Sequence, residues 1–115
     1  MTVTRLTRPS SNDVMIDLAQ KAEEVAELLT AMGNPKRLLA LCAMMDGERS
    51  VNELADLVEM RAPALSQHLA KMRAMKIVAT RREAQSVYYR LASPQIEEVL
   101  QTLHRLYCVS ETITR

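Results

Sequence analysis

Residues 50–73 read Ser-Val-Asn-Glu-Leu-Ala-Asp-Leu-Val-Glu-Met-Arg-Ala-Pro-Ala-Leu-Ser-Gln-His-Leu-Ala-Lys-Met-Arg, and this stretch decides the fold. Ser50 and Glu53 have the spacing of a capping box, in which each side chain satisfies the other's free backbone N–H at a helix start. Val51, Leu54, Ala55 and Val58 follow at helical spacing, so a short helix is predicted. The pattern breaks at Glu59-Met60-Arg61-Ala62 and restarts near Pro63, a residue suited to a first helical turn. In the second helix Leu65, Leu69 and Met72 make an inner face, while Ala64, Gln67, His68 and Lys71 fall outside. Two short helices joined by a tight turn form a helix-turn-helix arrangement.

The flanks extend this unit on both sides. Met15, Leu18, Ala22, Val25, Leu29 and Met32 alternate in steps of three and four, which predicts one helix over residues 13–31, capped by Asn12 or Asp13 and stopped by Gly33. Asn34-Pro35 opens another helix carrying Leu38, Leu39, Leu41, Cys42 and Met45, ending at Gly47. After the central pair, residues 77–82 and 86–91 read as two strands around Glu83-Ala84-Gln85, the second rich in β-branched and aromatic residues. Ser93-Pro94 starts a last helix with Ile96, Val99, Leu100, Leu103, Leu106, Tyr107 and Ile113 on its apolar side. The expected fold is mainly α with a small β-hairpin wing, that is, a winged helix-turn-helix. Residues 1–12 would be a flexible arm and residues 13–115 the DNA-binding and dimerisation domain.

The chain has 115 residues, a size that suits one domain, and contains no Phe or Trp and three Tyr. Its core must therefore be aliphatic and Met-based. A domain this small leaves much surface uncovered. The long apolar stripes of the first and last helices therefore point to a homodimer. No apolar run nears the ~18 residues of a membrane span, and the amino-terminal stretch lacks the apolar centre of a secretory signal. The expected setting is cytoplasmic, where two cysteines remain free thiols.

Net charge is +1, but its distribution is uneven. Residues 61–90 hold Arg61, Lys71, Arg73, Lys76, Arg81, Arg82 and Arg90 against Glu83 alone. Elsewhere acidic residues outnumber basic ones. A basic block within an acidic chain is the electrostatic footprint of a polyanion partner, here double-stranded operator DNA. The second helix of the central pair would enter the major groove. Ser66 and Gln67 can reach base edges, and Gln67 can pair bidentately with adenine. His68 and Lys71 can meet phosphate or base, and Ala64 allows close approach to a thymine methyl. Arg81, Arg82, Gln85 and Arg90 on the hairpin would lie on the backbone or in the minor groove. Two-fold symmetry favours an inverted-repeat operator. No phosphate loop, nucleophile with an adjacent base or paired carboxylate motif is present, so neither an enzyme nor a cofactor is expected.

These residues also carry a resemblance. Pro63-Ala64-Leu65-Ser66-Gln67-His68-Leu69 with Lys71-Met72-Arg73 resembles the recognition helix of the ArsR/SmtB family of winged-helix repressors. Asn34-Pro35-Lys36-Arg37-Leu38-Leu39-Ala40-Leu41, Glu53-Leu54-Ala55-Asp56-Leu57 and Val87-Tyr88-Tyr89-Arg90-Leu91 are similar to further family segments. One departure is Ala74-Met75-Lys76-Ile77, where the family has a glycine after the recognition helix.

Many family members sense metals, and a metal- or arsenite-responsive repressor is the alternative reading. One metal site type places cysteines in the short helix, but here Ala55 and its neighbours supply none. A second site type uses acidic and histidine ligands on the terminal helices; the last helix has Glu97, Glu98 and His104 but no second histidine, and His104 with Cys108 one turn on makes only two ligands, so no metal ligand is assigned. Cys42 and Cys108 remain, in the second and last helices. They are either two small buried hydrophobes or a dithiol switch. Cys42, among Leu38, Leu39, Leu41 and Met45, suits burial, whereas Cys108 has His104 and Arg105 beside it. One cysteine in each of these helices resembles the persulfide- and redox-responsive branch of the family. That resemblance implies release from DNA when the two sulfurs are linked, and control of sulfide-detoxification genes.

Overall fold

Side-chain oxygens set most of the helix starts. Ser10 accepts from the Asp13 N–H at 3.1 Å and opens α1 (Ser11–Ala19). After α2 (Ala22–Met32), Asn34 accepts from the N–H groups of Lys36 and Arg37 at 2.9 and 3.1 Å to start α3 (Pro35–Ala43). Ser50 and Glu53 form the full capping box of α4 (Val51–Val58), with N···O distances of 2.9 and 3.1 Å. The helix α5 (Ala62–Ala74) starts with Pro63 in its first turn. Ser93 caps α6 (Pro94–Tyr107) by accepting from the Ile96 N–H at 3.2 Å. The protein is described by a computed structural model covering residues 10–108. The arm expected over residues 1–12 and the last apolar position, Ile113, fall largely or wholly outside that span.

Three strands complete the wing: β1 (Arg49–Ser50), β2 (Val78–Glu83) and β3 (Ser86–Leu91), in the antiparallel order β1-β3-β2. The two-stranded hairpin expected from sequence gains β1, in which Arg49 faces Tyr89 and Ser50 faces Tyr88. A two-residue strand has no periodicity to read. The turn between β2 and β3 has no glycine, and Ala84 takes its left-handed position at φ 55°.

Fully buried Leu41, Leu54, Leu65, Leu69, Met72, Ile77, Ile96 and Leu100 join α3, α4, α5, the start of the wing and α6 in one core. Tyr89 is the buried aromatic. The inner face expected for α5, Leu65, Leu69 and Met72, is the observed one.

The helices also differ from the sequence expectation, beginning with Ser10, which caps α1 in place of Asn12 or Asp13. The helix expected over 13–31 is two helices, α1 and α2. At the break the Lys21 N–H bonds to the Leu18 carbonyl at 2.9 Å, one tightened turn, and the ordinary pattern resumes with Val25 bonding to Lys21. Neither glycine nor proline marks the spot, and Glu23 and Glu24 then stand where a helix N-terminus favours acids. Of the apolar stripe named from sequence, Met15, Leu18, Val25 and Leu29 are exposed, while Met32 is buried in the core. A further difference is in α3, which ends at Ala43 rather than near Gly47.

The departure after α5 is resolved by backbone geometry. Lys76 has φ 65°; its N–H bonds to Arg73 O, and the Ile77 N–H bonds to Met72 O, each at 2.9 Å. This is a Schellman stop with a lysine in the left-handed position that glycine takes most easily. Glu59 (φ 58°) ends α4 the same way, with the Met60 N–H on Ala55 O at 3.0 Å. A left-handed non-glycine residue costs about 1–2 kcal/mol. Lys76→Gly is expected to stabilise the fold by about 1 kcal/mol, seen as a rise of a few degrees in thermal unfolding by circular dichroism.

Candidate nucleic-acid interface

The basic residues of the block are all exposed, on or beside α5 and on the wing. On α5, Ala64, Gln67 and Lys71 are exposed at spacings of three and four, opposite the buried Leu65, Leu69 and Met72. Ser66 and His68 are half-buried at the edges of that face. Arg61 precedes the helix, and Lys71 and Arg73 sit in its last turns. The predicted major-groove residues are therefore together on one element, with Gln67 exposed and chemically able to address a base edge.

His68 is more committed than the sequence suggests. Its Nδ1 lies 3.2 Å from an Nη of Arg37 on α3. The remaining donors of Arg37 hold the carbonyls of Ala31 (2.8 Å) and Thr30 (3.0 Å) at the end of α2. No spacing rule links residues 37 and 68, so sequence reasoning missed Arg37.

The wing residues divide into two groups. Arg82, Gln85 and Arg90 are exposed. Arg81 is engaged within the fold: it pairs with Glu48 at 2.9 Å and Glu83 at 2.7 Å, and its guanidinium lies 4.9 Å from the Tyr88 ring centre. The hydrogen bond from Arg81 holds the Glu48 carboxyl below the usual carboxylate range. Arg81 thus ties the wing to the segment before β1, and much of its charge is compensated there. Arg49 likewise turns inward, donating to the Ala43 carbonyl at 2.8 Å at the end of α3.

A second site lies between α3 and α6. Leu38, Cys42, Met45, Leu100, Leu103, His104, Tyr107 and Cys108 line an apolar groove of about 450 Å³. Both thiols are free and exposed, which corrects the expectation of a buried Cys42. Of the neighbours named from sequence, Leu38 and Met45 share its groove, while Leu41 is fully buried in the core and Leu39 faces outward. Desolvation by those neighbours, and secondarily the nearby Cys108, push the Cys42 thiol up. Among the described residues no group of three or more His, Cys, Asp or Glu could hold a metal ion. No described helix is long and apolar enough to cross a membrane.

Residues 34–80 match the family described as bacterial regulatory protein, arsR family. The transcriptional activator HlyU of Vibrio cholerae is 44% identical over 80% of this chain and 85% of its own. A structure of reduced HlyU superposes with a TM-score of 0.75, covering 80% of this chain and 97% of that one. The biofilm growth-associated repressor of Agrobacterium fabrum is 39% identical over 82% of this chain and 80% of its own. The homodimeric winged helix-turn-helix DNA-binding domain of Mb0332 from Mycobacterium bovis is 25% identical, with a TM-score of 0.69 over 88% of this chain and 89% of that one.

Gln67→Ala is expected to relax base preference at one position of each half-site, at about 1–3 kcal/mol. Arg82→Ala should weaken all duplexes alike and lower the salt slope by about one. Arg81→Ala should instead act on stability, because it unties the wing from Glu48. Competition assays over a salt series, with thermal melts, separate the three. Unchanged base preference in Gln67→Ala would sink the assignment of α5 as the reading helix.

Proposed function

This chain belongs to the arsR family of bacterial regulatory proteins and is a winged-helix transcriptional regulator, not an enzyme; we propose that it is a dithiol-responsive repressor, released from its operator when Cys42 and Cys108 are linked. The observation that carries the reading is the shared groove: two thiols 66 positions apart in sequence line one apolar hollow between α3 and α6. Repression is the sign in the Agrobacterium relative, while HlyU is named an activator. One HlyU structure is of the reduced protein, the state in which both thiols of this chain are described.

The reduced protein would bind an inverted repeat as a homodimer. Met15, Leu18 and Leu29 on the first two helices, with Leu106 and Tyr107 on α6, are apolar and at least half exposed. Covering them is favourable by roughly 25 cal/mol per Å². A two-fold dimer would place two α5 helices about one DNA turn apart, roughly 34 Å. Leu29→Glu should shift sedimentation toward monomer and weaken operator binding in parallel; an unaltered dimer would reject this seam.

The chemistry balances simply. With peroxide, two thiols lose two protons and two electrons to give one disulfide, and the peroxide leaves as two waters. With a persulfide donor, Cys108 takes the outer sulfur and releases the donor thiol. Cys42 then attacks the Cys108 sulfur and expels hydrogen sulfide. Burial raises the Cys42 pKa, which makes it slow to ionise and slow to attack first; it resolves as the thiolate, once its proton has passed to solvent. The link would draw α3, beneath the DNA-binding unit, toward α6 of the dimer seam and change the spacing of the two reading helices. A thousandfold loss of affinity needs only about 4 kcal/mol.

Cys42→Ser and Cys108→Ser should each bind operator when reduced and stay bound after peroxide or persulfide treatment, measured by fluorescence anisotropy. Alkylation at pH 7 should label Cys108 ahead of Cys42, and Cys42 labelling should climb as pH rises toward its elevated pKa. If either serine variant releases DNA as wild type does, the switch is rejected and metal titration becomes the deciding measurement. Control of sulfide-detoxification genes is the biological setting we attach to this chemistry. A transcript comparison with and without sulfide in a deletion strain tests it.

A further inference from the structure

We propose that Arg37 is a positioning residue for DNA recognition, fixing His68 as a hydrogen-bond donor on the reading face of α5 and tying that helix to α2. The inference rests on α5 being the reading helix.

A guanidinium carries only N–H donors. Its contact with His68 Nδ1, 3.2 Å away, therefore makes Nδ1 an acceptor. In the neutral imidazole the proton must then sit on Nε2. His68 is half-buried at the edge of the exposed face carrying Ala64, Gln67 and Lys71. The free Nε2–H is matched to an acceptor, a phosphate oxygen or guanine O6 or N7, and not to a base amino group.

The other end of Arg37 explains why this side chain, and not general packing, does the positioning. It donates to Ala31 O and to Thr30 O at the end of α2, where Thr30 O also accepts from the Gly33 N–H at 3.1 Å. Beyond it, α2 and the last turns of α5 are separated by a hollow of about 580 Å³, with Ala26, Glu27 and Thr30 on one wall and Lys71, Ala74 and Met75 on the other. Across this gap the guanidinium spans from two backbone carbonyls to one imidazole nitrogen. A flexible lysine ammonium has neither the planar fork nor the reach to hold all three partners at once.

The test is a double-mutant cycle on the full chain, read as operator affinity and as affinity for an unrelated duplex. Arg37→Met should cost about tenfold for the operator in the wild-type background, and less than about twofold in His68→Ala. An equal loss in both backgrounds, or no loss in either, overturns the inference while leaving the reading helix in place. If His68→Ala and Gln67→Ala both bind the operator like wild type, the reading-helix assignment itself fails. Long-range proton–nitrogen correlation spectra of the wild-type imidazoles provide a check independent of variant folding. His68 must show an unprotonated Nδ1 and a protonated Nε2 at alkaline pH; the opposite tautomer overturns the inference.

Discussion

Everything at the DNA-facing end depends on the burial of Leu54 and Val58 of α4 against Leu65, Leu69 and Met72 of α5. Each is nearly or wholly removed from water, and truncating a side chain of this size in a packed core costs about 2–5 kcal/mol. The contact fixes the angle between the two helices, and so decides which face of α5 is left outside. The polar face of α5 is defined by what the inner face must bury. The same core reaches Ile77 and Val78 at the foot of the wing and Ile96 and Leu100 of α6. The reading helix, the wing and the seam helix are thus anchored in one apolar interior without a Phe or Trp.

The parts of the fold that obey local rules were legible in the sequence. The capping box at Ser50, the Asn34 cap, Pro63 and the α5 stripe each announce themselves through spacing. What escaped detection depends on distant partners or on a choice the backbone makes without a marker residue. The break at Lys21 lacks a glycine or proline. The β1 strand exists only because Arg49 and Ser50 come to rest beside Tyr89 and Tyr88. Arg37 and His68 meet through tertiary packing. Arg81 was legible as a basic residue of the hairpin, but Glu48, which engages it, lies 33 positions away. Cys42 was harder still. Apolar neighbours in sequence suggested burial, yet the helix turns its sulfur toward a groove whose far wall is α6.

Two kinds of connection run between the seam and the reading surface. One is polar and short: Arg37, from the end of α2 to His68. The other is the apolar groove between α3 and α6, where both thiols stand. The polar clamp is built from directional bonds whose geometry is specific. The groove is a gap whose width a covalent bond could alter. In the proposed switch, chemistry would act on the groove, while the clamp would preserve the orientation of the reading helix.

Ser50 has two roles at once. Its backbone pairs with Tyr88 in the wing sheet, and its hydroxyl caps α4. The wing and the helix pair are therefore welded at a single residue, reinforced by the Arg81 bridge to Glu48. Wing and helix pair, together the head, are thus held at two points, a shared residue and an ion pair. On the proposed reading, a change at the seam would act on where two heads stand relative to each other and leave how one head grips its own half-site. Intrinsic affinity for an isolated half-site would then belong to the head, and cooperativity between half-sites to the seam. Selection can then tune the operator sequence and the chemical signal on separate parts of one small chain.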